Sequence, residues 1–313
     1  MRLDSLLAAV PGPGGGGGPT SSTVDEDDLA LVRSDLESAA ARAAELVDGH
    51  VADDGSTTNL PLRLPKARVI ALADCERHAV ASSRPEPVDA SDDLPLRLLA
   101  GRALDVFVEH EIVEGPVADP FEDLLSWLSA RGELDVRDQV IAAGERLRLD
   151  PLASSARAWA GLDPAWWPRT QASAAVHLAG GAVRCEGRTD VELGGPLSGR
   201  PGVVVEVKLG SSRHSHLAEA THYALLVALR DRVAPAAVAR WYPGGALAEM
   251  DVTADVLHSA ARRLGDAIGA WAELQVGRPP RERPGPACSW CADADVCPSA
   301  APRGDGTTGD GDL

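Results

Sequence analysis

Leu29, Val32, Leu36, Ala39, Ala43 and Leu46 recur at three- and four-residue intervals, a spacing that predicts an amphipathic helix from Asp28 to about Asp48. The polar run ADDGSTTN after it reads as a loop. Residues 66 to 80, KARVIALADCERHAV, read as a short helix carrying Cys75, and residues 94 to 112 and 120 to 147 as further helices. The period changes at Trp166. ASAAVHLAGGAVRCEGRTDVEL divides into two runs around Gly180-Gly181, and a two-residue Gly-Gly link is a favoured hairpin turn. The valine run of GVVVEVKLG is a third strand. Residues 214 to 230 return to helical spacing, and 236 to 242 and 246 to 251 suit two short strands. Thr253 can cap a helix carrying Val256, Leu257, Leu264, Ile268 and Trp271. Beyond Gly277 the prolines exclude a long helix, and no internal repeat is visible.

Composition sharpens the ends of this pattern. Residues 1 to 27 include PGPGGGGGPTSSTVDED, Gly/Pro-rich and then acidic, which predicts a disordered leader. Residues 28 to 60 are a helix and loop, residues 61 to 300 one domain, and the Gly/Asp-rich residues 301 to 313 a disordered tail. No stretch approaches the roughly 20 uncharged apolar residues of a membrane span, and the first residues lack the order of a signal peptide. A cytoplasmic protein with no membrane partner is expected. The net charge of −17 would oppose a polyanionic partner if it were evenly spread. It is not: residues 1 to 60 hold 3 basic and 11 acidic side chains and residues 304 to 313 three aspartates, leaving −6 for the rest.

The chain has 28 arginines and only two lysines, and one lysine lies inside the valine run. Side chains alternate along a strand, so Glu206 and Lys208 project on one face. Asp190, in the hairpin's second strand, can lie beside them. Two carboxylates and a backbone carbonyl offer hard oxygen ligands to Mg²⁺ or Mn²⁺. The lysine can orient a water molecule or stabilise charge developing on a phosphate.

GRTD followed by EVKLG resembles the PD-(D/E)XK nuclease superfamily, in particular its RecB-type branch, over about residues 60 to 300. The resemblance implies an α/β fold, a restriction-endonuclease-like mixed sheet flanked by helices with a helical N-terminal portion. It implies hydrolysis of DNA phosphodiester bonds, as an exonuclease on single strands or ends, in repair, CRISPR adaptation or phage defence. Asp190 and Glu206 would bind Mg²⁺ or Mn²⁺ with the Val207 carbonyl, and Lys208 would position the attacking water. The branch's Gly-x-x-x-His motif falls on GRALD, putting Asp105 at the metal-binding position, with His110 an alternative ligand. Its Gln-x-x-x-Tyr motif falls on Glu219 and Tyr223, which would line the DNA path. The two departures, Asp105 and Glu219, also suit a non-cutting module that binds DNA or a protein. No helicase motif is present, so unwinding would come from a partner such as a helicase or another DNA-processing factor.

Cys288, Cys291 and Cys297 form C-x2-C-x5-C, in which two cysteines grip one metal centre and the third folds back. Cys75 is the candidate fourth ligand, its ADCERH context being a polar helix end. Cys185 alternates with polar residues and reads as core. Four thiolates hold zinc or an iron-sulfur cluster. One cysteine before the core and three after it is similar to the iron-sulfur staple of AddB-type and CRISPR-associated RecB-like nucleases. That implies a structural [4Fe-4S] cluster in a C-terminal strap, with zinc as the alternative.

Overall fold

The computed structural model describes residues 24–50, 60–84, 96–210, 214–244 and 246–300. The expected tail, the ADDGSTTN loop and most of the expected leader lie outside these residues. The leader expectation is corrected at its end. Helix α1 (Glu26–Val47) begins before Asp28 because Asp25 caps it: the Asp25 carboxylate accepts from Asp28 N at 2.8 Å, and Asp28 accepts in return from Asp25 N at 3.4 Å. The acidic run at 25 to 28 thus belongs to a helix N-terminus, where negative charge is favoured, and Val24 before it is buried.

Strand β1 (Leu62–Pro65) was not expected: Leu62-Arg63-Leu64 alternates and both leucines are buried, but the run is only four residues long, holds no β-branched residue and is bounded by prolines. It runs straight into α2 (Lys66–Asp74). The helix expected over 66 to 80 is two helices, α2 and α3 (Glu76–Ala81), broken at Cys75, which is extended (φ −162°, ψ 120°). Helix α4 (Leu96–Val113) follows. The helix expected over 120 to 147 is likewise divided into α5 (Pro120–Ala130) and α6 (Leu134–Ala143), with positive φ at Gly132 and Gly144. A further helix, α7 (Leu149–Ala156), completes this half.

Strands β2 (Arg169–Leu178) and β3 (Val183–Gly195) form the expected hairpin, joined by a turn over residues 179 to 182 and not by Gly180-Gly181 alone. Strand β4 (Arg200–Val207) is the valine run, α8 (His214–Asp231) follows, then β5 (Ala237–Tyr242), β6 (Ala246–Asp251) and α9 (Ala254–Gln275), capped as expected by Thr253.

These strands make one six-stranded mixed sheet flanked by helices, with path β1-β3-β4-β5-β6 and β2 along β3. Strand β3 is shared unevenly. One edge carries β2 antiparallel over most of its length. Its other edge pairs in parallel with β1 at 183 to 186 and antiparallel with β4 from 191 onward, so residues 187 to 190 have no strand beside them there. Asp190 lies in that opening.

Two apolar cores cover the sheet. One joins α1, α2, α8 and α9 to Val176, Cys185, Val204 and Val238. The other joins α4 to α7 to Val191, Val205, Ala239 and Trp241. Val203, Val204 and Val205 are each at most 1% exposed, which explains an uninterrupted apolar run in a strand covered on both faces. Strand β3 changes sides on the way. Val183 and Cys185 face one core, yet Val191 and Leu193, of the same parity, face the other. The change falls next to Asp190, opposite Gln171, whose φ is 48°.

Candidate active site

The opening in β3 gathers four acidic and two basic side chains. Asp190 Oδ2 accepts from Val207 N at 2.7 Å, locking the aspartate of β3 to the end of β4. Glu206, only 1% exposed, accepts from Lys208 Nζ at 2.9 Å through Oε2, while its buried Oε1 has no partner among the described residues. The expected shared face of Glu206 and Lys208 is therefore present. Asp105 reaches the group from α4, close enough to repel Glu206 and Asp190 and to be attracted by Lys208 and Lys66.

Burial is the largest influence on these groups. It raises Asp105 and Asp190 from 3.8 to about 7, helped by their repulsion of each other or of Glu206. It raises Glu206 from 4.5 to about 7, helped by Asp190 and opposed by both lysines. Lys208 is pushed the other way. Although burial disfavours its charge, Glu206, Glu219 and Asp190 together hold it well above the ordinary lysine value. An ammonium thus stands among carboxylates that share protons near neutrality.

Glu219, on α8, accepts from Lys208 Nζ and from Lys66 Nζ, each at 2.9 Å, and is held down at about 2 despite its burial. Lys66 is the residue that the sequence reading missed. It is the chain's only other lysine, so the rarity that singled out Lys208 marks Lys66 equally. Its position follows from β1: Pro65 pairs with Glu186, and Lys66 emerges just beyond, at the opening.

Tyr223 does not line an open path. It is 3% exposed, its ring packs on β3, and its hydroxyl accepts from Arg188 N at 3.4 Å. An ideal Cβ on Gly187 would stand 2.5 Å from Tyr223 Cε1, so the glycine of GRTD admits this ring. His110 is not brought to the cluster. Its Nδ1 is 2.9 Å from Gly115 O, its Nε2 faces Glu114, and its ring lies against Trp127.

The cysteines lie elsewhere. Cys75, Cys288, Cys291 and Cys297 line one small cavity of about 10 Å³ between the α2–α3 break and the C-terminal segment. Arg283 N points at Cys75 Sγ and Gly285 N at Cys288 Sγ, both at 3.5 Å. Ion pairs fasten the segment to α3. Glu76 receives Arg278 at 2.8 and 3.0 Å and Arg281 N at 2.7 Å, and Arg77 binds Glu282 and Asp293. Cys185 is fully buried in the core, as expected.

Among the described residues, no three His, Cys, Asp or Glu side chains are drawn together as a formed metal site. The donor chemistry of both groups nonetheless suits a cation: an orphaned buried carboxylate oxygen beside two repelling carboxylates in one, four thiols with amides aimed at sulfur in the other. Two larger clefts, of about 510 and 710 Å³, contain none of these residues. No helix among the described residues is long and apolar enough to cross a membrane.

No family model matches the chain, and no curated protein does. Among solved structures, a protein of Eubacterium rectale described as a "putative exonuclease" is similar at 14% identity and TM-score 0.46, over 75% of this chain and 87% of that one. A second, SSO0001, is similar at 16% identity and TM-score 0.32, over 64% of this chain and 94% of that one.

Proposed function

We propose that this chain is a metal-dependent DNA nuclease of the PD-(D/E)XK type, acting as an exonuclease on single strands or ends. The observation that carries the reading is Glu206: a buried carboxylate with one oxygen on Lys208 and the other unpartnered among the described residues, near enough to Asp190 on the adjacent strand to be repelled by it. Asp190, Glu206 and Asp105, with the Val207 carbonyl, would hold Mg²⁺ or Mn²⁺. Such an ion, when bound, polarises a phosphoryl oxygen and acidifies water.

The protein's own groups divide the remaining work. Lys208 stays protonated, so it donates hydrogen bonds and does not act as a base. Two of its three N–H groups serve Glu206 and Glu219, which leaves one to orient the attacking water or a phosphoryl oxygen. The four cysteines would hold a [4Fe-4S] cluster, or zinc in its place, that fixes the C-terminal strap.

End-labelled single-stranded DNA, incubated with anaerobically purified protein and Mn²⁺ or EDTA, tests this. Cutting with Mn²⁺ that disappears in EDTA and in Lys208→Ala supports it. Unchanged cutting by Lys208→Ala refutes the role of the lysine. No cutting by intact, metal-loaded protein replaces the nuclease with a DNA- or protein-binding module.

A further inference from the structure

The second lysine sits where the proposed chemistry gives it no task. Lys66 opens α2, is 24% exposed, and among the described residues makes one ion pair, at 2.9 Å to the Glu219 oxygen that also binds Lys208. Its ammonium is 5.0 Å from the centre of the Tyr223 ring. One oxygen atom, Glu219 Oε2, thus joins the two lysines of the chain. A lone carboxylate on a helix is free to change rotamer. Gripped from both sides it is not, and a bridge between two cations offsets their mutual repulsion.

We infer that Lys66 is a positioning residue: through Glu219 it fixes the Lys208 ammonium beside Glu206, so that the third N–H of Lys208 points to one place. The Lys66–Glu219–Lys208 bridge gives the glutamate a purpose an amide could not serve, since only a carboxylate brings negative charge to the one oxygen that both ammonium groups share. Four carboxylates and two lysines also leave the cluster two negative charges in excess when all are ionised, which one divalent cation offsets.

This inference rests on the nuclease reading for its kinetic arm, and a second arm is independent of it. With two lysines, protein carrying ¹⁵N at lysine Nζ gives two ammonium signals, and Lys66→Met assigns them by removing one. The expected result is a slowly exchanging Lys208 ammonium in the native protein that exchanges rapidly in Lys66→Met and in Glu219→Gln and recovers in Lys66→Arg. In DNA cleavage, Lys66→Met should lower kcat about 10- to 100-fold, as loss of an orienting partner does. KM should stay within about twofold, because Lys66 does not touch substrate. The Lys66→Met/Glu219→Gln pair should be no worse than the weaker single variant, because both act on one path.

An unchanged Lys208 signal in Lys66→Met overturns the inference. So does a raised KM with kcat held, which would make Lys66 a direct phosphate contact. If the native protein cuts nothing, the nuclease reading fails and the ammonium signals alone decide the bridge. Should Lys66→Met not fold, Glu219→Gln interrogates the same bridge from its centre.

Discussion

Metal-free protein should be less stable at pH 8 than at pH 6. Asp105, Asp190 and Glu206 each keep a proton to about pH 7 in the folded chain, whereas the unfolded chain holds ordinary carboxylates, ionised well below pH 6. The folded state therefore binds more protons across this window, and stability falls as pH rises. Three groups titrating near 7 cost up to about 4 kcal/mol between pH 6 and 8, and their mutual repulsion, which spreads the release of protons over a wider range, lowers that figure. His222 opposes this. Buried and held near 3, it stays neutral while its unfolded counterpart charges below 6.5, returning about 1 kcal/mol. The net loss is at most about 3 kcal/mol, or about 6 °C in Tm for a chain of this size. Melting in EDTA from pH 5.5 to 8.5 measures it. Mn²⁺ should raise Tm more at pH 8 than at pH 6, because it competes with protons for the same oxygens. Glu206→Gln should stabilise the metal-free protein at pH 8 and abolish its share of the slope. A Tm in EDTA that is flat or rises from pH 6 to 8 refutes the buried-carboxylate account.

Gly187→Ala forces a methyl group against Tyr223 and should cost about 1–3 kcal/mol in denaturant unfolding, partly relieved by adding Tyr223→Leu. Glu76→Ala removes the acceptor of Arg278 and of Arg281 N and should lower stability by about 1–3 kcal/mol. Limited proteolysis should then cut first between residues 278 and 300. Anaerobically purified protein should contain about four iron and four sulfide per chain, lost together in Cys75→Ser; one zinc instead would select the other occupant.

The sequence carried most of the scaffold. The hairpin, the valine strand, α8 and α9 were legible because periodicity and capping residues act locally; Glu206 and Lys208 were legible because strand parity sets their shared face, and Asp190 because its strand neighbours theirs. What it hid was non-local. Strand β1 is held by the edge β3 offers it, and the three-residue alternation Leu62-Arg63-Leu64 is too short to announce a strand by itself. Without β1, nothing in the sequence brings Lys66 to Glu219, 153 residues away. The reversal of β3 at Asp190 breaks the alternation that a strand reading assumes. His110 illustrates the opposite error: a ligand-competent residue on the right helix, five positions from Asp105, on a different side of it.

The uneven sharing of β3 also sets an order of events during synthesis. Strand β1 and α2 leave the ribosome early, but the edge that receives β1 follows about 120 residues later, and the residues that latch α3 come only at 278 to 293. At ordinary translation speeds, Lys66 waits about 10–30 s for Glu219, and Glu76 somewhat longer for Arg278. Until then the nascent chain carries a lysine without a counterion and a helix pair without an anchor. A ribosome stalled before residue 278 would display the carboxylate cluster with its clasp undone.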